Sequence, residues 1–139
     1  MIAKSRSVLC DRKLCELVLN RADFLPVADQ ALLENVLGRG VLPRDLARLE
    51  GGGNARVRAI QERVRCLVRR LLHPDVACVI RQHDNWPLDL RRTALALWVR
   101  GESVGAHARS RGLTIYRVRQ HVLAIRALIQ QTRRARSRQ

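Results

Sequence analysis

Residues 112–122 read GLTIYRVRQHV and carry one phenol, two guanidinium groups, an amide and an imidazole, with no acid among them. Arginine presents a planar fork of donors that fits two guanine acceptors or two phosphate oxygens, and glutamine fits the adenine edge. A phenol adds a flat ring with a hydroxyl. Such a set suits recognition of an anionic surface rich in acceptors. It does not suit bond breaking. The chain has no paired carboxylates and no nucleophile beside a base, and the GGG at 51–53 follows no strand and precedes no GK[ST]. We expect a binding protein that is not an enzyme and needs no cofactor.

Recognition groups work only when one rigid face holds them. At about 100° per residue, a helix starting at Ile115 puts Ile115, Val118, Val122, Ile125 and Ile129 on a core side. Tyr116, Arg117, Gln120 and Ala124 point the other way, and Arg119 and His121 flank them. Thr114 can cap this helix, Ser103 can cap a shorter one reaching about Ser110, and Gly112 permits the turn between them. Upstream, Asp84 or Asn85 caps a helix with Pro87 in its first turn, running through Trp98 to Gly101. Two helices, a three-residue turn and a longer third helix describe a helix-turn-helix unit. Arg117 lies in the first turn, where the positive helix end disfavours a cation by about a few tenths of a kcal/mol. Phosphates or base acceptors would offset that cost.

The charge balance points the same way. The chain has 139 residues, 27 Lys+Arg against 12 Asp+Glu, and a net charge of +15. Only Lys4 and Lys13 are lysines. A GC-rich genome explains arginine over lysine, but not the missing acids. No acid follows Glu102, whereas Arg109, Arg111, Arg117, Arg119, Arg126, Arg133, Arg134, Arg136 and Arg138 do. Such an excess repels itself unless a polyanion neutralises it, which makes nucleic acid the expected partner. With four aromatics (Phe24, Trp86, Trp98, Tyr116) a base-stacking platform for single strands is poorly supported, so double-stranded DNA is favoured.

The rest of the sequence reads as helices. Nearly half of it is apolar, period-two alternation is absent, and the fold class expected is all-α, with tandem helix-turn-helix units packed in one small helical body. We divide it into an N-terminal helix (1–25), a degenerate helix-turn-helix copy (26–72), a connector (73–86), the reading unit (87–131) and a basic disordered tail (132–139). The N-terminal helix, around Leu9 to Phe24, offers a route to a homodimer. Cys10, Cys15, Cys66 and Cys78 lack CxxC spacing, so buried thiols are a better reading than a metal site. The opening MIAKSRSVLC has no apolar run long enough for a signal peptide and ALALWV is too short to span a bilayer. We therefore expect a cytoplasmic, nucleoid-associated protein with no membrane partner.

From Pro87 to Ile129 the chain resembles the helix-turn-helix domain of LuxR-type regulators and region 4 of sigma factors. The shared frame is G-x-S-x-x-x-x-A-x-x-x-G-L-T-x-x-x-V-R-x-H-V-x-x-I, fixed here by Gly101, Ser103, Ala108, Gly112, Leu113, Thr114, Val118, Arg119, His121, Val122 and Ile125. The resemblance implies that Ala108 is the small residue where the two DNA-facing helices cross. It further implies that Tyr116, Arg117 and Gln120 face bases in the major groove, while Arg119 and His121 reach the backbone, joined by Ser103 and Thr114 at the helix starts. Two positions depart from the frame: His107 stands where a buried isoleucine is usual, and Ala106 where an acid is usual.

A shift of 61 residues lays RGVLPRDLARLEGGGNARVR over RGESVGAHARSRGLTIYRVR without a gap, which suggests duplication. Ala47 meets Ala108, Gly51 meets Gly112, and Arg56 and Arg58 meet Arg117 and Arg119. Tyr116, Gln120 and Thr114 meet Ala55, Ala59 and Gly53, so the first copy keeps cations but loses base-reading groups and the cap. The first copy is expected to clamp phosphates through Arg56 and Arg58 or to pack as scaffold. The function expected is a sequence-specific transcription regulator. The alternatives are a sigma-like adaptor touching RNA polymerase or another protein, and a nucleoid or RNA-binding protein without sequence choice.

Overall fold

A computed structural model describes residues 11–138, so Leu9 and Cys10 lie outside the described residues. The chain is all-α, with no strand among the described residues, and it divides into two compact units at Leu72/His73.

The first unit holds α1 (Arg12–Arg21), α2 (Val27–Leu33), α3 (Pro43–Leu49) and α4 (Asn54–Leu72). The second holds α5 (Pro74–Gln82), α6 (Leu88–Ala94), α7 (Val104–Arg111) and α8 (Ile115–Ser137). A single 3-10 turn follows α1 at Ala22–Phe24 and α5 at His83–Asn85. Both α2 and α6 continue as a π turn, Glu34–Gly38 and Leu95–Val99. After α1 and α5, the elements start at positions 61 residues apart. Buried positions follow the same offset: Val18 and Val79, Leu25 and Trp86, Leu33 and Ala94, Ala47 and Ala108, Val64 and Ile125. Inside each unit the leading helix packs on the π turn and on the last helix, and the third helix packs on the last.

The repeat thus includes the leading helix. The span expected as a connector, 73–86, is α5 and its 3-10 turn, the counterpart of the N-terminal helix. The sequence carried a signal for it, because Asp23 and Pro26 recur as Asp84 and Pro87. One device holds the 3-10 turn in both units. Gln30 Nε2 donates to the carbonyls of Asp23 and Leu25 at 3.1 and 2.7 Å. Arg91, 61 residues on, donates to those of Asp84 and Trp86 at 3.2 and 3.3 Å, and to His83 O at 3.1 Å. Neither Asp84 nor Asn85 caps α6; Pro87 holds that place with extended backbone.

The π turns close on glycine. Arg39 N donates to Glu34 O and Arg100 N to Leu95 O, both at 2.9 Å, and Gly40 and Gly101 follow with φ of 69° and 72°. A side chain is strained at such φ values, which accounts for the RG pair in both copies. Leu37 and Trp98 lie at matching places within the two π turns and are both half-buried. One further expectation is corrected. Helix α8 runs to Ser137 where a disordered tail was expected, because Ile129 is buried and Arg133 Nη1 lies 3.3 Å from Asp75 Oδ1 on α5. Helix α1 turns Val18 into its own unit, leaving Leu17 37% exposed.

Candidate nucleic-acid interface

Helix α7 ends at Gly112, whose φ of 65° lets Leu113 N return to Ala108 O at 2.9 Å. Ser103 Oγ accepts from Ala106 N and Thr114 Oγ1 from Arg117 N, each at 3.1 Å, so both hydroxyls cap helices as the sequence suggested. The first unit makes the same turn through Gly51 (φ 75°) and Gly52 N to Ala47 O at 2.8 Å. There Gly53 has no side chain with which to cap α4.

Val118, Ile125 and Ile129 of α8 are buried, as the periodicity required, but the core face is rotated from the one expected. Val122 is half-buried, and Ile115, placed in the core by the pattern, is 49% exposed because it lies in the first turn at the helix end. The helix turns His121 inward instead. It is 6% exposed, so it does not reach outward to a DNA backbone, and that assignment is overturned.

His121 belongs to a buried polar chain. Its Nδ1 lies 2.9 Å from Thr93 Oγ1, which lies 3.1 Å from Nε2 of the buried His107. His121 Nε2 lies 3.4 Å from Asp89 Oδ2. If His107 Nε2–H donates to Thr93, the Thr93 hydroxyl is left to donate to His121 Nδ1, while His121 Nε2 faces Asp89. Burial, ahead of the opposing carboxylate of Glu102 and then the cation of Arg111, pushes the His107 pKa down from 6.5. Sequence reasoning marked His107 as a departure; its link to Thr93 was invisible because the two lie on different helices.

The outer face of α8 carries Tyr116, 71% exposed, together with Gln120 and Leu123, and Arg117 and Arg119 flank this stripe. Leu123 was not expected there, although the spacing from Tyr116 and Gln120 foretells it. None of these arginines has a carboxylate partner among the described residues. The acids of the second unit are engaged elsewhere: Asp75 by Arg133, Asp84 by His83, Asp89 by His121 and Glu102 by Arg100.

The first unit differs in charge. Arg56 Nε donates to Glu50, and the contact raises the arginine pKa and lowers that of the acid. Arg56 is therefore paired with an acid, where the sequence had it as a free cation. Arg63 forks onto Asp29 at 3.1 and 2.7 Å. Arg58 is exposed, with no carboxylate partner among the described residues.

Among the described residues no group of three or more His, Cys, Asp or Glu is placed to hold a metal ion. Cys78 is buried, and Cys15 and Cys66 are half-buried. No helix among the described residues is long and apolar enough to cross a membrane. No family model, curated protein or solved structure matches the chain.

Proposed function

We propose that the chain is a sequence-specific double-stranded DNA-binding regulator of transcription that lays the N-terminal half of α8 in the major groove. The carrying observation is the exposed, acid-free stripe of Tyr116, Gln120 and Leu123 between Arg117 and Arg119, on a helix capped by Thr114. Gln120 offers a bidentate match to adenine, Arg117 to guanine, and Leu123 an apolar contact for a thymine methyl. Ser103 and Thr114 each keep a hydroxyl proton to donate to a flanking phosphate, and Arg119 adds a cation. The likeness of residues 87–129 to LuxR-type and sigma region 4 domains supports the same orientation.

The first unit contributes Arg58 to non-specific attraction, while Arg56 and Arg63 are paired with Glu50 and Asp29. A second reading, an adaptor contacting RNA polymerase or another protein, is favoured by the exposed apolar side chains of Leu88, Ile115 and Leu123. Selection of bound duplexes from a random pool tests the proposal. Enrichment of one motif is expected. Binding without enrichment assigns a nucleoid or RNA-binding role, and absence of binding with co-purification of RNA polymerase assigns the adaptor.

A further inference from the structure

A cavity of about 160 Å³ opens beside the start of α8, lined by Arg92, Arg111 and Arg117, by His107 and His121, and by Asp89 with Leu113. A single water needs only about 10–15 Å³ of the same kind of space. The first unit has a cavity at the corresponding place, lined among others by Ala31, Leu46, Glu50, Arg56 and Ile60. Position by position, 61 residues apart, the two linings differ in one direction. Arg92 replaces Ala31, His107 replaces Leu46, His121 replaces Ile60, and Arg111 replaces Glu50 opposite the shared Arg56/Arg117.

In the first unit two of these positions meet. Glu50 and Arg56 are in direct hydrogen-bonded contact. The same two backbone positions in the second unit carry two guanidinium groups, Arg111 and Arg117, and a third, Arg92, reaches the same space. Where the first unit supplies its own carboxylate, the second has a further arginine. Asp89 is the one acid in the lining, and it faces His121. Three guanidinium groups with one carboxylate leave the rim cationic even with both imidazoles neutral. A tetrahedral oxyanion can accept from the forks of several guanidinium groups at once.

We propose that this cavity is a binding site for a phosphate oxyanion, held by Arg92, Arg111 and Arg117. The site rests on the DNA reading only in taking a duplex backbone as one source of the phosphate; a free phosphate ester is the other. Arg117 then serves a phosphate in place of the guanine contact given to it above, and leaves Tyr116 and Gln120 to the bases.

The test is thermal unfolding of the full chain in increasing inorganic phosphate, with chloride adjusted to hold ionic strength constant. Arg111→Glu installs the acid of the first unit opposite Arg117 and should keep the fold. Arg109→Glu, on the same helix but outside the cavity, makes the same change of charge and controls for general attraction of anions. Phosphate should raise the unfolding temperature of the wild type and of Arg109→Glu, while Arg111→Glu should need about tenfold more phosphate or fail to respond. Arg92→Ala, which restores Ala31 of the first unit, should weaken the response in the same direction. Equal responses of Arg111→Glu and Arg109→Glu, or an unaltered response in Arg92→Ala, overturn the site. Duplex binding by the same variants then assigns the source. A larger loss in Arg111→Glu than in Arg109→Glu supports a backbone phosphodiester, and equal duplex affinities with the phosphate response lost support a free ester. If the DNA reading fails, that shows separately, as absent sequence preference with the phosphate response intact.

Discussion

Thr93 Oγ1 lies 2.9 Å from His121 Nδ1 and joins it to His107, whereas the first unit has Leu32, Ile60 and Leu46 at the matching positions. One backbone arrangement thus accepts either an apolar trio or a hydrogen-bonded one. The polar trio holds together only as a set, because each member satisfies another in a place shielded from water.

Thr93→Val should therefore destabilise the protein by about 1–3 kcal/mol, since it leaves two buried imidazole nitrogens without a partner. The triple change Thr93→Leu, His107→Leu and His121→Ile copies the first unit and removes every member at once. It should remain within about 1 kcal/mol of wild type. Urea unfolding at pH 7.5 checks both. A triple variant less stable than Thr93→Val contradicts the account.

Acid should weaken the fold through His107. Burial keeps its folded pKa below the unfolded value of 6.5, so the unfolded chain binds the extra proton first. The stabilisation is full above pH 6.5 and is lost as pH falls through the folded pKa. Urea midpoints measured between pH 7.5 and 5 should drop for wild type and drop less for His107→Leu. Parallel curves for the two proteins exclude His107 as the group responsible.

Duplex binding should be steeply salt-dependent, because the cations around the stripe lack carboxylate partners among the described residues. With about five or more phosphate contacts, log Kd against log salt concentration should have a slope of magnitude about 4 or more. A flat dependence removes nucleic acid as the main partner.

Reading and clamping should separate by variant. Gln120→Ala should cost about 1–3 kcal/mol on a preferred duplex and relax choice at one base pair. Arg58→Ala should weaken preferred and scrambled duplexes equally, because a phosphate contact carries no sequence information. Fluorescence anisotropy at one salt concentration compares them. A change of base preference in Arg58→Ala would place the reading head in the first unit.

The sequence by itself determined the helical class, the capped turn at Gly112–Thr114, the burial of Val118, Ile125 and Ile129, and the 61-residue correspondence from Arg39 onward. These are local properties: periodicity, a capping hydroxyl and a glycine able to adopt positive φ act within a few residues of chain. Only the tertiary structure decided that His121 turns inward, because its partners Thr93 and Asp89 lie on α6, and a helical wheel of α8 contains neither. Likewise Arg56 reads in sequence as one more free cation. Its neutralisation depends on Glu50 crossing the turn between α3 and α4, and the cationic cavity of the second unit depends on Arg111 standing where that acid would be. The meaning of a charge was set by what the fold placed opposite it, through electrostatics that weaken with distance in space and not with separation along the chain.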